Sequence, residues 1–287
     1  MHSAAGRLLG YVVVHRASAV TGTWGGMSVS ARLSLSDVCT LARATTLQLA
    51  LFAIRRGSHH CLVSVPEGAT EREQSSQQRG FLEALQPLVA AGLCHIVFTS
   101  TDDSLDPPLA RRGLAASAAA TALVGLEHLG IEPTRATVAL HGPTRAGHDA
   151  VAALVHHGLR LVAEGDEALK AGVDVALIGG ALQAISLREA RAARARVLVT
   201  LAPTAVTPAA RRTLHERGIV LIPDTVAAGG LFVAIDRRSR GLDEREAIAQ
   251  SFAEADARCR RLLLEPSPRP GEPLAAPQPA GVTSLRG

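Results

Sequence analysis

Lysine is almost missing from this chain. Lys170 stands alone among 287 residues, and arginine supplies the rest of the basic charge. Chemistry that needs a neutral amine near pH 7 is confined to that one position, because a desolvated lysine can give up its proton and arginine cannot. Aromatic residues make up only 2%, so any core must be built from Ala, Val, Leu and Ile, a palette that suits helices laid on buried parallel strands. The net charge of +4 is mild, and the basic residues are scattered instead of forming the stripe that nucleic acid requires. The four cysteines, Cys39, Cys61, Cys94 and Cys259, lie far apart without paired spacing. A disulfide framework is thus not expected, and a reduced, cytoplasmic setting is. No apolar run is long enough to cross a bilayer, and the N-terminus lacks the order of a signal peptide, so no membrane partner is expected.

What the chain does have is ample apolar content, 47% over 287 residues, enough for two modest domains. Its most telling stretch is Arg135-Ala-Thr-Val-Ala-Leu-His-Gly-Pro-Thr-Arg-Ala-Gly147. A short apolar run leads into Gly142, and Gly147 follows inside a new helical pattern. This is the strand, glycine turn and helix layout that sets a pyrophosphate on a helix N-terminus. The middle glycine is replaced by Thr144, which puts a branched side chain where bare backbone would approach the phosphate, and Pro143 removes an amide beside it. Arg145, at the helix start, could clamp a phosphate.

Along the chain, residues 8–15 read as a first strand and 21–26 as a glycine-bearing turn. Ser34-Leu-Ser-Asp37 caps a helix over 38–54. A strand is predicted at 61–65, a helix at 71–91 closed by Gly92, and a strand at 95–99. A helix of small residues covers 114–129. The second half alternates strand and helix, with strands at 137–140, 160–163, 173–178, 196–200 and 219–222, which predicts a parallel sheet covered by helices. A long helix spans 243–264, and the proline-rich stretch 266–287 reads as a disordered tail. The expected fold is therefore α/β. An N-terminal α/β domain of the dimerisation type occupies 1–105, a linking helix 106–134, and a truncated Rossmann-like domain 135–223. A glycine loop and terminal helix follow at 224–264.

With these residues on the page, the chain up to about Leu264 resembles the glutamate/leucine/phenylalanine/valine dehydrogenases, its leucine-type branch most closely. Thr23-Trp-Gly-Gly-Met27 is similar to that family's glycine-pair substrate loop, which makes Gly25 and Gly26 substrate-binding candidates. Leu41-Ala-Arg-Ala-Thr-Thr-Leu-Gln48 resembles the helix bearing its first active-site lysine. Gly218-Ile-Val-Leu-Ile-Pro-Asp224 with Ala228-Gly-Gly-Leu231 resembles the strand and glycine loop beside its nicotinamide site. The resemblance implies oxidative deamination of an L-amino acid with NAD or NADP in a cleft between two domains, and assembly into homo-oligomers. One lysine holds the substrate carboxylate, a second activates water, and an aspartate shuttles protons.

Carried onto this chain, the carboxylate-binding lysine falls on Gln48 and the catalytic lysine on His60. The aspartate falls on Asp102 or Asp103. Pro203 and Ala227 stand where the family has asparagines beside the nicotinamide. Gly142, Thr144, Arg145 and Gly147 take the phosphate-loop positions, and Glu164 or Asp166 the acidic position on the adenine ribose. The segment 164–173 is too short for the helix and strand that the family has there, so one edge unit of the sheet is missing. His59-His60-Cys61 and Cys94-His95 could bind metal, but neighbours on a strand point to opposite faces and no second ligand pair has a fitting spacing, so no metal site is expected.

Three functional readings follow. The first is a family member that has lost lysine catalysis and is silent or divergent, keeping at most a site for an anionic or amino-acid-like ligand. The second is a working oxidoreductase with His60 as base, since imidazole titrates near neutrality, and Asp102 or Asp103 as shuttle. The third is a structural subunit that associates through its N-terminal sheet.

Overall fold

The computed structural model describes residues 9–16, 22–99, 108–179 and 184–264. Asp102, Asp103 and the stretch 266–287 lie outside the described residues.

The first half builds a four-stranded sheet. Its elements run β1 (Gly10–Arg16), β2 (Thr23–Ser30), α1 (Leu35–Leu51), β3 (Gly57–Ser64), α2 (Glu71–Ala90) and β4 (Cys94–Thr99). The strand order is β1-β3-β2-β4; β1 pairs antiparallel with β3, and the other pairs are parallel. Both helices start where the sequence says they should. Ser34 and Asp37 form a reciprocal capping box at α1, and Thr70 and Glu73 another at α2, so amides that a helix end leaves open find side-chain oxygens.

Two readings of this half are corrected. The glycine-bearing stretch read as a turn contributes instead to β2, a central strand buried from Thr23 to Val29. Gly25 is there for close approach: a Cβ on it would lie 1.9 Å from the carbonyl oxygen of His59 on β3. The next strand also begins earlier, at Gly57, which takes His59 and His60 off a turn and into the sheet.

Helix α3 (Pro108–His128) follows, then β5 (Thr137–His141), α4 (Arg145–His156), β6 (Arg160–Glu164), β7 (Val175–Ile178), α5 (Leu187–Ala192), β8 (Val197–Thr200), α6 (Pro208–Glu216) and β9 (Val220–Ile222). The chain closes with α7 (Asp224–Ala227), α8 (Gly230–Ser239) and α9 (Glu244–Leu263). Strands β5 to β9 form one parallel sheet in the order β6-β5-β7-β8-β9. The first mononucleotide-type half thus keeps two strands where a full doubly wound sheet has three. Between β6 and β7 there is only a short 3-10 turn, Gly165–Lys170, and β6 is left as an exposed edge.

Small side chains hold the middle together. The Ala-rich α3 passes so near α8 that a Cβ on Gly113 would come within 2.6 Å of the Gly230 carbonyl oxygen. One continuous buried cluster runs from Trp24, Leu49 and Phe52 through α3 to Phe232 and on to Val138 and Leu177 in the second sheet. Among the described residues, no helix is long and apolar enough to cross a membrane.

Candidate active-site cleft

The elements that would line a cleft between the two sheets are the C-terminal part of α1, β2, β3 and the α7–α8 segment. Helix α1 presents Thr45, Gln48 and Leu49 inward. Gln48 is 1% exposed, and its Nε2 donates to the carbonyl oxygen of Asp224, 3.2 Å away. Its Oε1 is buried without a hydrogen-bond partner among the described residues. The Gln48 side chain therefore ties α1 to α7.

Around that bond the two halves are in contact. Trp24 of β2 stacks on Phe232 of α8, with ring centroids 6.5 Å apart and planes at 12°, and the Arg56 guanidinium lies 4.9 Å from the Trp24 ring centre. Phe52 packs on Gly229 so closely that a Cβ there would fall 1.9 Å from the ring. Arg258 of α9 covers the other side of Phe52 at 4.6 Å and donates to the Leu51 carbonyl at 2.7 Å. Ala227 is buried, and its carbonyl accepts from Ser117 at 2.5 Å.

Asp224 opens α7 after Pro223 and is itself buried. Desolvation raises its pKa from 3.8 to about 6, against the backbone amides of Asp224 and Thr225 and the charge of Arg211. With the folded value above the unfolded one, the native state holds this proton more tightly. The associated stability is complete below about pH 4 and is lost as pH rises through 6. A shift of that size corresponds to about 3 kcal/mol. Asp224→Asn is therefore expected to be more stable than wild type at pH 7 and to match it near pH 4. Urea unfolding across that range checks this, and a variant less stable at pH 7 contradicts it.

His60 is 1% exposed and its Nε2 lies 2.9 Å from Ser28 Oγ. It is also the register partner of Gly26, as His59 is of Gly25, so three of the sequence candidates do sit on adjacent strands. Burial, reinforced by neighbouring His59, lowers the His60 pKa to about 3. That is far below the range in which a general base works well at neutral pH.

The nucleotide loop keeps its shape and redirects its donors. Gly142 after β5 has φ +64, the left-handed turn that glycine allows. Thr144 is the N-cap of α4, and its Oγ1 accepts from the Gly147 amide at 3.0 Å. The hydroxyl thus takes the amide that a phosphate oxygen would use. It also faces the loop after β7, where a Cβ on Gly179 would meet Thr144 Oγ1 at 2.9 Å. Arg145 is exposed at the first position of α4, and Glu164 ends β6 beside His148, 3.6 Å away. A cleft of about 450 Å³ opens nearby, lined by His141, Asp166, Lys170 and Arg188 among others. Lys170 there pairs with Glu167 at 2.8 Å. The chain's one lysine thus belongs to the second sheet's edge.

Thr144 thus occupies one amide of the loop, while Gly142 keeps its left-handed turn and Arg145 is exposed at the helix start. Thr144→Gly should free the Gly147 amide at a helix-capping cost of only a few tenths of a kcal/mol. A hydrogen bond to a charged group contributes about 1.5–3 kcal/mol, so calorimetry should detect NADH binding in the variant at concentrations where wild type shows none. Unchanged or weaker binding would mean that Thr144 is not what limits the site.

Of the residues His59-His60-Cys61 and Cys94-His95, set aside as metal ligands on sequence grounds, three do come together. His59 and Cys61 are two residues apart on β3 and so share a face, and Cys94 of β4 joins them: their ligand atoms all lie within 4.8 Å of one another. The His-x-Cys spacing was the available signal.

Comparison with known proteins agrees with this geometry. Residues 117–236 match the family model described as Glutamate/Leucine/Phenylalanine/Valine dehydrogenase. The chain is similar in fold to hetero-hexameric glutamate dehydrogenase from Thermus thermophilus in its Leu-bound form, with TM-score 0.70, 16% identity and coverage of 91% of this chain and 80% of that one. L-tryptophan dehydrogenase from Nostoc punctiforme gives TM-score 0.62 at 16% identity, covering 92% and 93%. Glutamate dehydrogenase from Plasmodium falciparum gives 0.65 at 11%, covering 90% and 78%. No curated protein sequence matches the chain.

Proposed function

We propose, for a chain that belongs through its residues 117–236 to the glutamate/leucine/phenylalanine/valine dehydrogenase family, that it is a catalytically silent subunit which keeps the fold and has given up the reaction. The observation that carries this reading is Gln48. At the carboxylate-binding position it is buried and bonded to the Asp224 carbonyl, so its amide holds the two halves together and has no charge to offer a substrate.

Other features support it. The Trp24–Phe232 stack and the Phe52–Gly229 contact fill the space in which an amino acid would meet a nicotinamide. His60 offers no effective base at neutral pH. The loop after β5 spends its helix-terminal amide on Thr144. The implied NAD or NADP, which would accept the hydride in the family reaction, finds neither its phosphate donors nor a substrate beside it.

The remaining role is association. Strand β1 is the sheet edge next to β3, with Tyr11 and Val14 exposed on it. An exposed edge of β-branched residues is a template for pairing with another chain. The Thermus thermophilus protein is described as a hetero-hexamer, and this chain would assemble likewise, with copies of itself in the first instance. The test is an assay of NAD and NADP reduction with a panel of L-amino acids. No turnover is expected; turnover that disappears in His60→Ala would establish the histidine-based enzyme instead.

A further inference from the structure

The space under α2 holds chemistry that neither the family reaction nor association uses. Cys61 and His59 of β3 and Cys94 of β4 are 0%, 0% and 3% exposed. They lie on the face that packs on Phe81 and Leu85 of α2, beside Met27 and Val29 of β2. Strand β2 runs between the two strands that carry them, and the residue opposite His59 is Gly25. With no side chain there, the imidazole reaches across β2, and its Nε2 comes to 3.2 Å from Cys94 Sγ. Cys61 and Cys94 share a thiol hydrogen bond.

Taken as hydrogen-bonded core residues, these three are poorly explained. His59 Nδ1 is buried without a partner among the described residues, and thiols are weak donors and acceptors. As ligands they make sense. Zinc bonds of about 2.3 Å to sulfur and 2.0–2.1 Å to nitrogen at tetrahedral angles put neighbouring ligand atoms roughly 3.4–3.8 Å apart. The observed trio, all within 4.8 Å with one pair at 3.2 Å, needs only small side-chain adjustments to reach that.

We propose that His59, Cys61 and Cys94 form a buried binding site for one thiophilic d10 metal ion, zinc(II) by charge balance. Two thiolates and a neutral imidazole around a divalent cation sum to zero charge, the arrangement that a dry interior tolerates best. Copper(I) with the same ligands would leave a net negative charge under α2. Zinc binding would form two Zn–S bonds and one Zn–N bond and release the thiol protons to solvent, with no change of oxidation state.

The test uses the full chain, purified without chelator under reducing conditions. Elemental analysis should find about one zinc per chain. Cobalt(II) added to the metal-free protein should give thiolate-to-cobalt charge-transfer bands that saturate at one equivalent and are displaced by zinc. The bands should vanish in Cys61→Ala and Cys94→Ala and persist in Cys39→Ser and Cys259→Ala. Should a variant fail to fold, alkylation of the wild type supplies the readout: zinc should protect two thiols, identified by peptide mapping as Cys61 and Cys94. Absence of cobalt bands in folded wild type, bands that survive loss of Cys94, protection of other thiols, or a Cys61–Cys94 disulfide in place of metal would each overturn the proposal. Saturation by copper(I) with no response to zinc or cobalt would overturn the charge-balance assignment.

Discussion

Amino-acid-dependent reduction of NAD or NADP is expected to stay at the blank rate in the wild-type protein with branched, aromatic and acidic L-amino acids. The same is expected of Gln48→Lys. A positioned general base contributes about 10²–10⁴-fold in rate, and on the proposed reading the site lacks that base, the carboxylate cation and the nicotinamide-side asparagines together. A lysine placed at position 48 does not restore the set. It enters a pocket where the present side chain is 1% exposed, where burial favours its neutral form, and where the Trp24–Phe232 stack and the Phe52–Gly229 contact already pack the two halves together. His60 remains a histidine held neutral in the sheet. A saturable rate above blank in either protein contradicts this.

Phe232→Ala is expected to lower the free energy of unfolding by about 3–5 kcal/mol, the usual cost of removing a fully buried phenylalanine. Phe232 is 0% exposed and is the face on which Trp24 stacks. Trp24 is the only tryptophan in the chain, so tryptophan fluorescence reports on the surroundings of this one ring, the Phe232 stack included. Its emission should change in the folded variant at low denaturant, and the unfolding midpoint should fall with the slope unchanged. A loss under about 1 kcal/mol with unaltered emission would show that the aromatic stack does not hold the two halves together.

Much of the second sheet was legible because its signals are local. Strands of three to five residues, four of them followed directly by Gly142, Gly165, Gly179 or Pro223, place β5 to β9 within two residues of their expected bounds. The short 164–173 segment foretold the missing edge unit seen in the strand order. Asp243 announced the start of α9, where it forms a capping box with Glu246. The first sheet was harder. Gly25 and Gly26 read as a turn because glycine usually frees the backbone, but here it lets β2 lie against the His59 carbonyl, a demand set by a strand more than thirty residues away.

The site was legible as a set of replacements and not as an arrangement. Substituting glutamine for the carboxylate-binding lysine is visible in one dimension, whereas the bond from Gln48 to Asp224 spans 176 positions. Similarly, Thr144 reads as a steric obstacle on sequence grounds, whereas the structure shows its hydroxyl capping α4 by accepting from the Gly147 amide. The His59, Cys61 and Cys94 grouping depends on β4 pairing with β2, which no spacing in the chain discloses.

The most direct test of the closed cleft is titration of the wild-type protein with NADH and with NADPH, followed through Trp24 fluorescence and confirmed by calorimetry. A filled cleft and a capped phosphate loop predict no saturable signal up to millimolar dinucleotide. Saturation at micromolar concentration, with a change in Trp24 emission, would mean that the two halves open to admit the cofactor, and the account of a silent subunit would be contradicted.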